Sequence, residues 1–420
     1  MTFNFQNDKP ALLGGPKTFE GRSSSSWPIY DSTEEQGLLE VLHSNKWGRL
    51  DGDVTAKFEA EFARYMGMKH ALGTSGGTTA LYTMLGALGI GPGDEVIMPA
   101  YTFVATYNVV VLNYALPILV DTDIDSFQID AKKMEKAITK ETKVLMPVHM
   151  GGVPADLDKI MAIAQKYKLP VIEDCCQAPG SEWKGKKVGS YGIGGAFSFQ
   201  SSKNLNTGEG GAVTTNDSEF NKACYAFHHQ GETGGAATFG TGVGTRATNA
   251  RMTEWQSRIL LAQMTRFQEQ DKIRTENAYY LNTLFKDVKG IYPAKYYPGT
   301  TNVSHHLYMY RYDKKYFADM SRDQFVKAMS AEGISTGPGY GRLDTDPYVA
   351  RLTKNPYFLK VYGEKTMNQW LERIKCPQNV KLADEALWLT QNILLGPRQN
   401  MEKIVEAVRK IQKYAKELKN

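Results

Sequence analysis

Residues Ala196–Asn216 read AFSFQSSKNLNTGEGGAVTTN. Two short apolar runs, Ala196–Phe199 and Ala212–Thr214, flank a polar connection with one lysine, Lys203, and three glycines, Gly208, Gly210 and Gly211. Runs this rich in Phe, Val and Thr, separated by Ser, Asn and Gly, predict two strands joined by a connection that needs positive φ angles. Lys203 then sits on a turn beside the core, where desolvation lowers the pKa of an amine and frees it to form a Schiff base. The same residues fit a surface lysine in a glycine loop. Nothing within the stretch separates the two readings, so the rest of the chain has to decide.

The 420 residues suffice for two domains, and 42% hydrophobic with 23% charged residues is the balance of a globular protein. A net charge of +5, with no dense Lys/Arg run, argues against nucleic acid as a partner. The lysines of the last segment alternate with Ile404, Val405, Val408, Ile411 and Tyr414 at helical spacing, as in a packed helix with a solvated face. Cys175, Cys176, Cys224 and Cys376 show neither metal-ligand nor disulfide spacing, and the histidines show no metal spacing either; no metal is expected. The first residues lack a basic region followed by an apolar core, and the most apolar stretch, Val109–Val120, is interrupted by Asn113 and Pro117. A soluble, cytoplasmic protein without a membrane partner is therefore expected.

Upstream of the lysine, short apolar strands alternate with helical segments. Ala71–Gly73, Glu95–Met98, Pro117–Val120, Lys143–Val148 and Pro170–Glu173 read as strands; Thr78–Leu88, Phe103–Leu112, Ala131–Ile138 and Leu157–Tyr167 read as helices. This alternation predicts an α/β fold, a mostly parallel central sheet flanked by helices, with ligands bound at the carboxyl ends of the strands. A long helical pattern from Met252 to about Phe285 leads to a shift toward Tyr, Pro and Gly, placing a large domain at 1–285 and a smaller C-terminal α+β domain at 286–420.

Three segments at strand ends carry candidate chemistry. Gly73-Thr74-Ser75-Gly76-Gly77-Thr78 combines glycines, hydroxyls and a helix N-terminus, which makes an anion cradle, or else a tight turn followed by an N-cap. Asp174, closing the run Val171-Ile172-Glu173-Asp174, could keep a pyridine nitrogen protonated, with Gln177 reaching the same ligand, or could cap the next helix. Phe103, after the strand ending near Met98, could stack on a flat ring or belong to the core. In chain order, a phosphate cradle, an aromatic, a strand-end aspartate and a turn lysine are the parts needed to hold pyridoxal 5′-phosphate.

The segments GTSGGTTAL, MPAYTFVATYN, VIEDCCQAPGSEWKGKKVGSYG, AFSFQSSKNLNTGEGGAVTTND, TNARMTEWQ and HLYMYR resemble the DegT/DnrJ/EryC1/StrS family of pyridoxal-phosphate-dependent sugar aminotransferases, of fold-type I. The resemblance implies that Lys203 links to the cofactor and shuttles a proton, and that Asp174 pairs with the pyridine nitrogen. It implies further that Gln177 bonds the ring hydroxyl, that Phe103 stacks on the ring, and that Ser75, Gly76 and Ser198 bind the phosphate. Asn249 would complete that phosphate site in a neighbouring subunit, so a homodimer is implied. His306, and with it Tyr308, would lie near substrate.

The implied activity moves an amino group from L-glutamate or L-glutamine to a keto group of a sugar or cyclitol. ALLGGP, EWKGKKVG, GEGG and LWLTQNILLG look most like the branch acting on aminocyclitol and aminohydroxybenzoate precursors, with nucleotide-linked keto-sugars as the rival. A dehydratase or aminohydroxybenzoate-synthase-like enzyme on the same scaffold is the alternative activity. A non-catalytic pyridoxal-phosphate- or sugar-binding regulator is the alternative class. The stretch Gly234–Thr248 follows no family pattern and reads as a substrate loop or a surface loop.

Overall fold

The computed structural model describes residues 9–21, 23–232 and 246–419; most of the Gly234–Thr248 stretch lies outside them. Five strands, β1 (His70–Thr74), β2 (Glu95–Pro99), β3 (Leu116–Val120), β4 (Thr142–Leu145) and β5 (Ile172–Asp174), precede a short hairpin of β6 (Glu182–Trp183) and β7 (Lys186–Lys187). The lysine stretch supplies β8 (Gly194–Ser198) and β9 (Gly211–Thr215). The strands lie in the order β3-β2-β4 and β5-β8-β9-β1, and parallel bridges Leu145–Val171 and Val148–Asp174 join the two groups. Within these seven strands only β9 is antiparallel to its neighbours. The mostly parallel sheet expected from the alternation is thus present, and its carboxyl ends converge on Asp174, Ser198 and the residues after Thr74 and Pro99.

The helices begin with α1 (Ser32–Ser44), opened by a capping box between Asp31 and Glu34, and α2 (Val54–Met66). Between the strands run α3 (Gly77–Ala87), α4 (Val104–Leu112), α5 (Ala131–Ala137) and α6 (Leu157–Tyr167), and α7 (Ser218–His228) follows β9. The long α8 (Glu254–Phe285) opens on a second capping box, Thr253 with Gln256. No helix among the described residues is long and apolar enough to cross a membrane.

Side chains on β8 alternate as a pleated strand requires. Ala196 joins the core formed by β2–β5 and the helices beside them. Phe197 and Phe199 turn to the opposite face, where they meet Phe58 and Phe62 of α2 edge-on at ring distances of 5.2–5.6 Å. Ser198, between them, is left on the cavity side.

Beyond α8 an antiparallel sheet of β10 (Ile291–Pro293), β12 (Leu307–Tyr312) and β13 (Ala386–Thr390) packs with α9 (Arg322–Ala331) and the helix Arg398–Lys413; β11 (Thr300–Asn302) instead pairs with β6. Phe19 and the second half of α8 belong to this smaller core. Residues 343–376, which the sequence groups with the 286–420 unit, bury Val349, Phe358, Met367 and Trp370 in the core of the parallel sheet instead. The Trp370 indole donates to Pro117 O at 2.8 Å, fixing the segment along edge strand β3.

Candidate active site

A cavity of about 460 Å³ opens at the carboxyl ends of β5 and β8, lined among others by Gly76, Gly77, Thr78, Phe103, Asp174, Gln177, Ser198, Lys203, His306 and Tyr340. Seven of the ten residues singled out from sequence therefore meet in one place. Burial holds the Lys203 ammonium below the ordinary lysine range, against the opposing pull of Cys176 and Asp174. The lysine is on a connection stitched by Phe199 N to Gly210 O at 2.7 Å and Ser201 N to Gly208 O at 2.8 Å. Its Nζ lies 3.5 Å from Nε2 of His306, whose Nδ1 meets Asn204 Oδ1 at 3.3 Å. Burial, with the charges of Lys203 and Arg274, keeps this imidazole well below its usual pKa and therefore neutral.

The glycines of the lysine connection divide their work. Gly208 takes a φ of +84°, the left-handed turn expected of the cluster. Gly211 is in strand β9, and its role is a close approach: a Cβ there would lie 2.4 Å from the Gly76 carbonyl carbon and oxygen.

Asp174 is 4% exposed. Its Oδ2 accepts from Thr106 Oγ1 at 2.9 Å and its Oδ1 from Cys176 N at 3.1 Å. Because Thr106 spends its proton on Asp174, Thr102 Oγ1, 2.8 Å away, is the donor to Thr106. Gln177 is equally fixed: Oε1 accepts from Gly151 N at 2.8 Å and Nε2 donates to Tyr340 OH at 2.9 Å, which sets the amide orientation. Burial pushes the Tyr340 hydroxyl up to about 12, so it stays protonated.

Behind this floor Glu173 is fully buried. Its Oε1 accepts from the amides of Tyr191 and Gly192, each at 2.8 Å; its Oε2 accepts from Gly189 N at 2.9 Å and faces His149 Nε2 at 3.1 Å. His149 Nδ1 accepts from Ala155 N at 3.0 Å, so the ring is a neutral donor from Nε2. With Cys175 these two residues form a buried group of metal-capable atoms that the spacing in sequence did not reveal. The carboxylate oxygens and ring nitrogens are all occupied by hydrogen bonds.

Two expectations change. Ser75 does not line the cavity: its amide is taken by Ala250 O at 2.8 Å and its hydroxyl meets Thr79 Oγ1 at 3.2 Å. The cradle is formed one residue on, by Gly76, Gly77 and Thr78. Tyr308 is a core residue of the smaller sheet: its hydroxyl donates to Asn282 Oδ1 at 2.7 Å and its ring stacks on Phe285. On β12, alternation sends Tyr308, Tyr310 and Tyr312 to that core; His306 precedes the strand, is not bound by its pleat, and faces the lysine. Asn249 is exposed and lies outside the cavity of its own chain. Sequence reading missed Thr106, four residues after Thr102 and legible from that spacing, and Tyr340, which no local signal marks.

The cavity accommodates a flat phosphorylated pyridine by its donor set. No side chain caps the first turn of α3, which leaves its amides for a phosphate. A Cβ on Gly77 would lie 2.6 Å from Ser198 Cβ and 2.8 Å from Cys176 Sγ, so glycine is what keeps helix and strand this close. A carboxylate, a half-exposed aromatic and a low-pKa amine face the same space.

The chain belongs to the DegT/DnrJ/EryC1/StrS aminotransferase family, whose pattern it matches over residues 28–387, and it has the fold-type I architecture. It is an aminotransferase. Among its relatives, L-glutamine:2-deoxy-scyllo-inosose aminotransferase of Streptoalloteichus tenebrarius is 33% identical over 94% of this chain and 96% of that protein. GDP-perosamine synthase of Caulobacter vibrioides is 37% identical over 79% of this chain and 88% of that one. The crystal structure of 3-amino-5-hydroxybenzoic acid synthase superposes with a TM-score of 0.81 at 29% identity, covering 93% of this chain and 100% of that one.

Proposed function

We propose that this chain binds pyridoxal 5′-phosphate in the Lys203 cavity and moves an amino group from L-glutamate or L-glutamine to a keto group of a sugar or cyclitol. The exchange balances by itself: the donor leaves as its 2-oxo acid, the acceptor carbonyl becomes an amine, and no external oxidant is needed. When bound, the cofactor supplies an electron sink conjugated to the carbon that loses its proton. The observation that carries the reading is the convergence of Lys203, Asp174, Gln177 and the uncapped α3 terminus on one cavity.

Lys203, with an amine biased toward its neutral form, links to the cofactor and afterwards takes and returns the proton at the reacting carbon. Neutral His306 at 3.5 Å orients that amine without competing for the positive charge. Asp174, held by Thr106 and the Cys176 amide, presents its carboxylate to the pyridine nitrogen. Gln177 directs its second amide hydrogen to the ring hydroxyl, Phe103 covers the ring, and the amides of Gly77 and Thr78 with Ser198 hold the phosphate. Asn249, exposed on this chain, reaches the phosphate of a neighbouring subunit in a homodimer.

The test is spectroscopic. The wild-type protein, reconstituted with the cofactor, acquires visible absorbance that L-glutamine or L-glutamate discharges, and Lys203→Ala loses both the band and turnover. A reconstituted wild type without donor-dependent spectral change, or Lys203→Ala with full turnover, overturns the proposal.

A further inference from the structure

The turn that carries Lys203 is almost entirely self-made. The backbone N–H groups of residues 200–203 all find their partners within 198–208: Gln200 N donates to Ser198 Oγ at 3.4 Å, Ser201 N to Gly208 O at 2.8 Å, Ser202 N to Gln200 Oε1 at 2.9 Å and Lys203 N to Gln200 O at 2.8 Å. Among the described residues, one bond reaches this backbone from elsewhere in the chain: the Trp27 indole donates from Nε1 to Ser201 O at 2.9 Å. Gln200, Ser202 and Lys203 line the cavity, whereas Ser201 and Trp27 do not. Trp27 therefore holds the turn from behind.

Trp27 is itself held on three sides. Two residues earlier, Ser25 N donates to Asn392 O at 3.2 Å and Ser25 O accepts from Asn392 Nδ2 at 2.9 Å, which fastens the segment to the residues after β13 of the smaller sheet. Two residues later, Ile29 O accepts from Gln263 Nε2 of α8 at 2.8 Å. Over the ring stands the Arg274 guanidinium, 5.3 Å from the ring centroid. Arg274 is wholly buried and its hydrogen bonds go to two neutral oxygens, Gln391 Oε1 at 2.8 Å and Gln270 Oε1 at 3.4 Å; its Nη1 has no partner among the described residues. A desolvated cation with only neutral acceptors is where the face of an indole counts most. The cation fixes the ring, and the N–H is left to aim at Ser201.

We propose that Trp27 is a positioning residue for Lys203: its hydrogen bond to Ser201 ties the lysine turn to the N-terminal segment and keeps Nζ in the buried place where it meets His306. The tie rests on the proposed function for its purpose alone, which is to deliver the amine to the reacting carbon. Both ends of the bond lie in one chain, so each subunit of a homodimer carries its own. Without the indole, Ser201 O turns to water and the turn is free to lift, taking Nζ out of the surroundings that lower its basicity.

The experiment follows Lys203 with neither cofactor nor turnover. The full chain, freed of cofactor, is labelled with a trace of acetic anhydride from about pH 6 to 11, and acetylation of Lys203 is read by mass spectrometry against a free-amine reference. Only the neutral amine reacts, so the profile gives its titration midpoint, which in wild type lies below the ordinary lysine value. Trp27→Phe keeps an aromatic face toward Arg274 and removes the donor. The midpoint then rises by about 0.5–1, because one hydrogen bond is worth about threefold to tenfold in an equilibrium. Benzothienylalanine in place of Trp27 deletes the N–H at nearly constant shape and gives the same rise, which guards against a Phe variant that folds poorly. Lys410, buried in its pair with Glu332, is the internal control and labels as in wild type. A Lys203 midpoint within about 0.2 of wild type in a folded variant, or an equal change at Lys410, overturns the proposal. A wild type that fails the donor spectrum while Trp27→Phe still shifts the profile defeats the function and leaves the tie standing; an unshifted profile beside a responsive spectrum defeats the tie alone.

Discussion

Replacing Glu173 by Gln probes how the floor of the site is held. The carboxylate receives four donors, two on each oxygen: the Tyr191 and Gly192 amides on one, and the Gly189 amide and His149 Nε2 on the other. An amide side chain keeps one acceptor oxygen and turns an NH2 group toward the other two donors, whichever way it is placed. His149 cannot compensate by moving its proton to Nδ1, since that would orphan the Ala155 amide it now receives at 3.0 Å. Two buried donors left without partners cost about 1–3 kcal/mol each, so about 2–6 kcal/mol in all. For a chain of this length that lowers the unfolding midpoint by about 2–7 °C.

The same residue makes a pH signature. Burial acts to raise the Glu173 pKa, but the hydrogen bonds from His149, Gly192 and Gly189 outweigh it and hold the group below its ordinary 4.5. A carboxyl depressed in the folded state stabilises the protein above the unfolded pKa and loses that contribution as pH falls through the folded value. The gap between wild type and Glu173→Gln is therefore widest near neutrality and closes in acid below 4.5. Thermal unfolding followed by circular dichroism across that range is the assay. A midpoint lowered by less than about 1 °C near neutrality, or a gap that stays constant into acid, would refute the reasoning that the carboxylate is ionised and fully used.

Gly77→Ala drives a Cβ into Ser198 Cβ at 2.6 Å and Cys176 Sγ at 2.8 Å, with Ser198 Cα at 3.2 Å behind them. The forced separation of α3 from β8 costs about 1–3 kcal/mol and weakens cofactor retention, measured as a rise in its Kd; unchanged Kd and midpoint would show that the contact gives way freely. Tyr340→Phe removes the acceptor of Gln177 Nε2 but keeps the Tyr340 N to Tyr101 OH bond. About 1 kcal/mol, close to a fivefold rise in cofactor Kd, is expected, and a Kd within error of wild type would mean that Gln177 does not depend on this partner.

Much of the site was legible because strand ends are marked locally. Lys203, Asp174 and Phe103 each follow or close a short apolar run, and parallel strands deliver their carboxyl ends to one edge of the sheet. The departures share one cause, that a side chain's direction depends on contacts made elsewhere. Ser75 looked like a phosphate ligand until Ala250 claimed its amide, and Tyr308 looked like a substrate contact until the pairing of β12 fixed which face joins Phe285. The amphipathic helices of residues 343–376 announce that they must bury a face. They do not announce that the face lies on the parallel sheet, a choice made by Trp370 reaching Pro117.

The sequence by itself determined the alternation of strand and helix, the lysine connection with its left-handed turn at Gly208, and the family, because these rest on periodicity and on residues a few positions apart. The tertiary structure alone decided that Thr106 holds Asp174, that Tyr340 fixes Gln177, and that Asp346 faces a cavity beside that of Lys203. Those pairings span 68 to 163 positions where the hydrogen bonds are direct. No local pattern encodes such a distance; the packing of the sheet, its helices and the returning C-terminal segment brings the partners together.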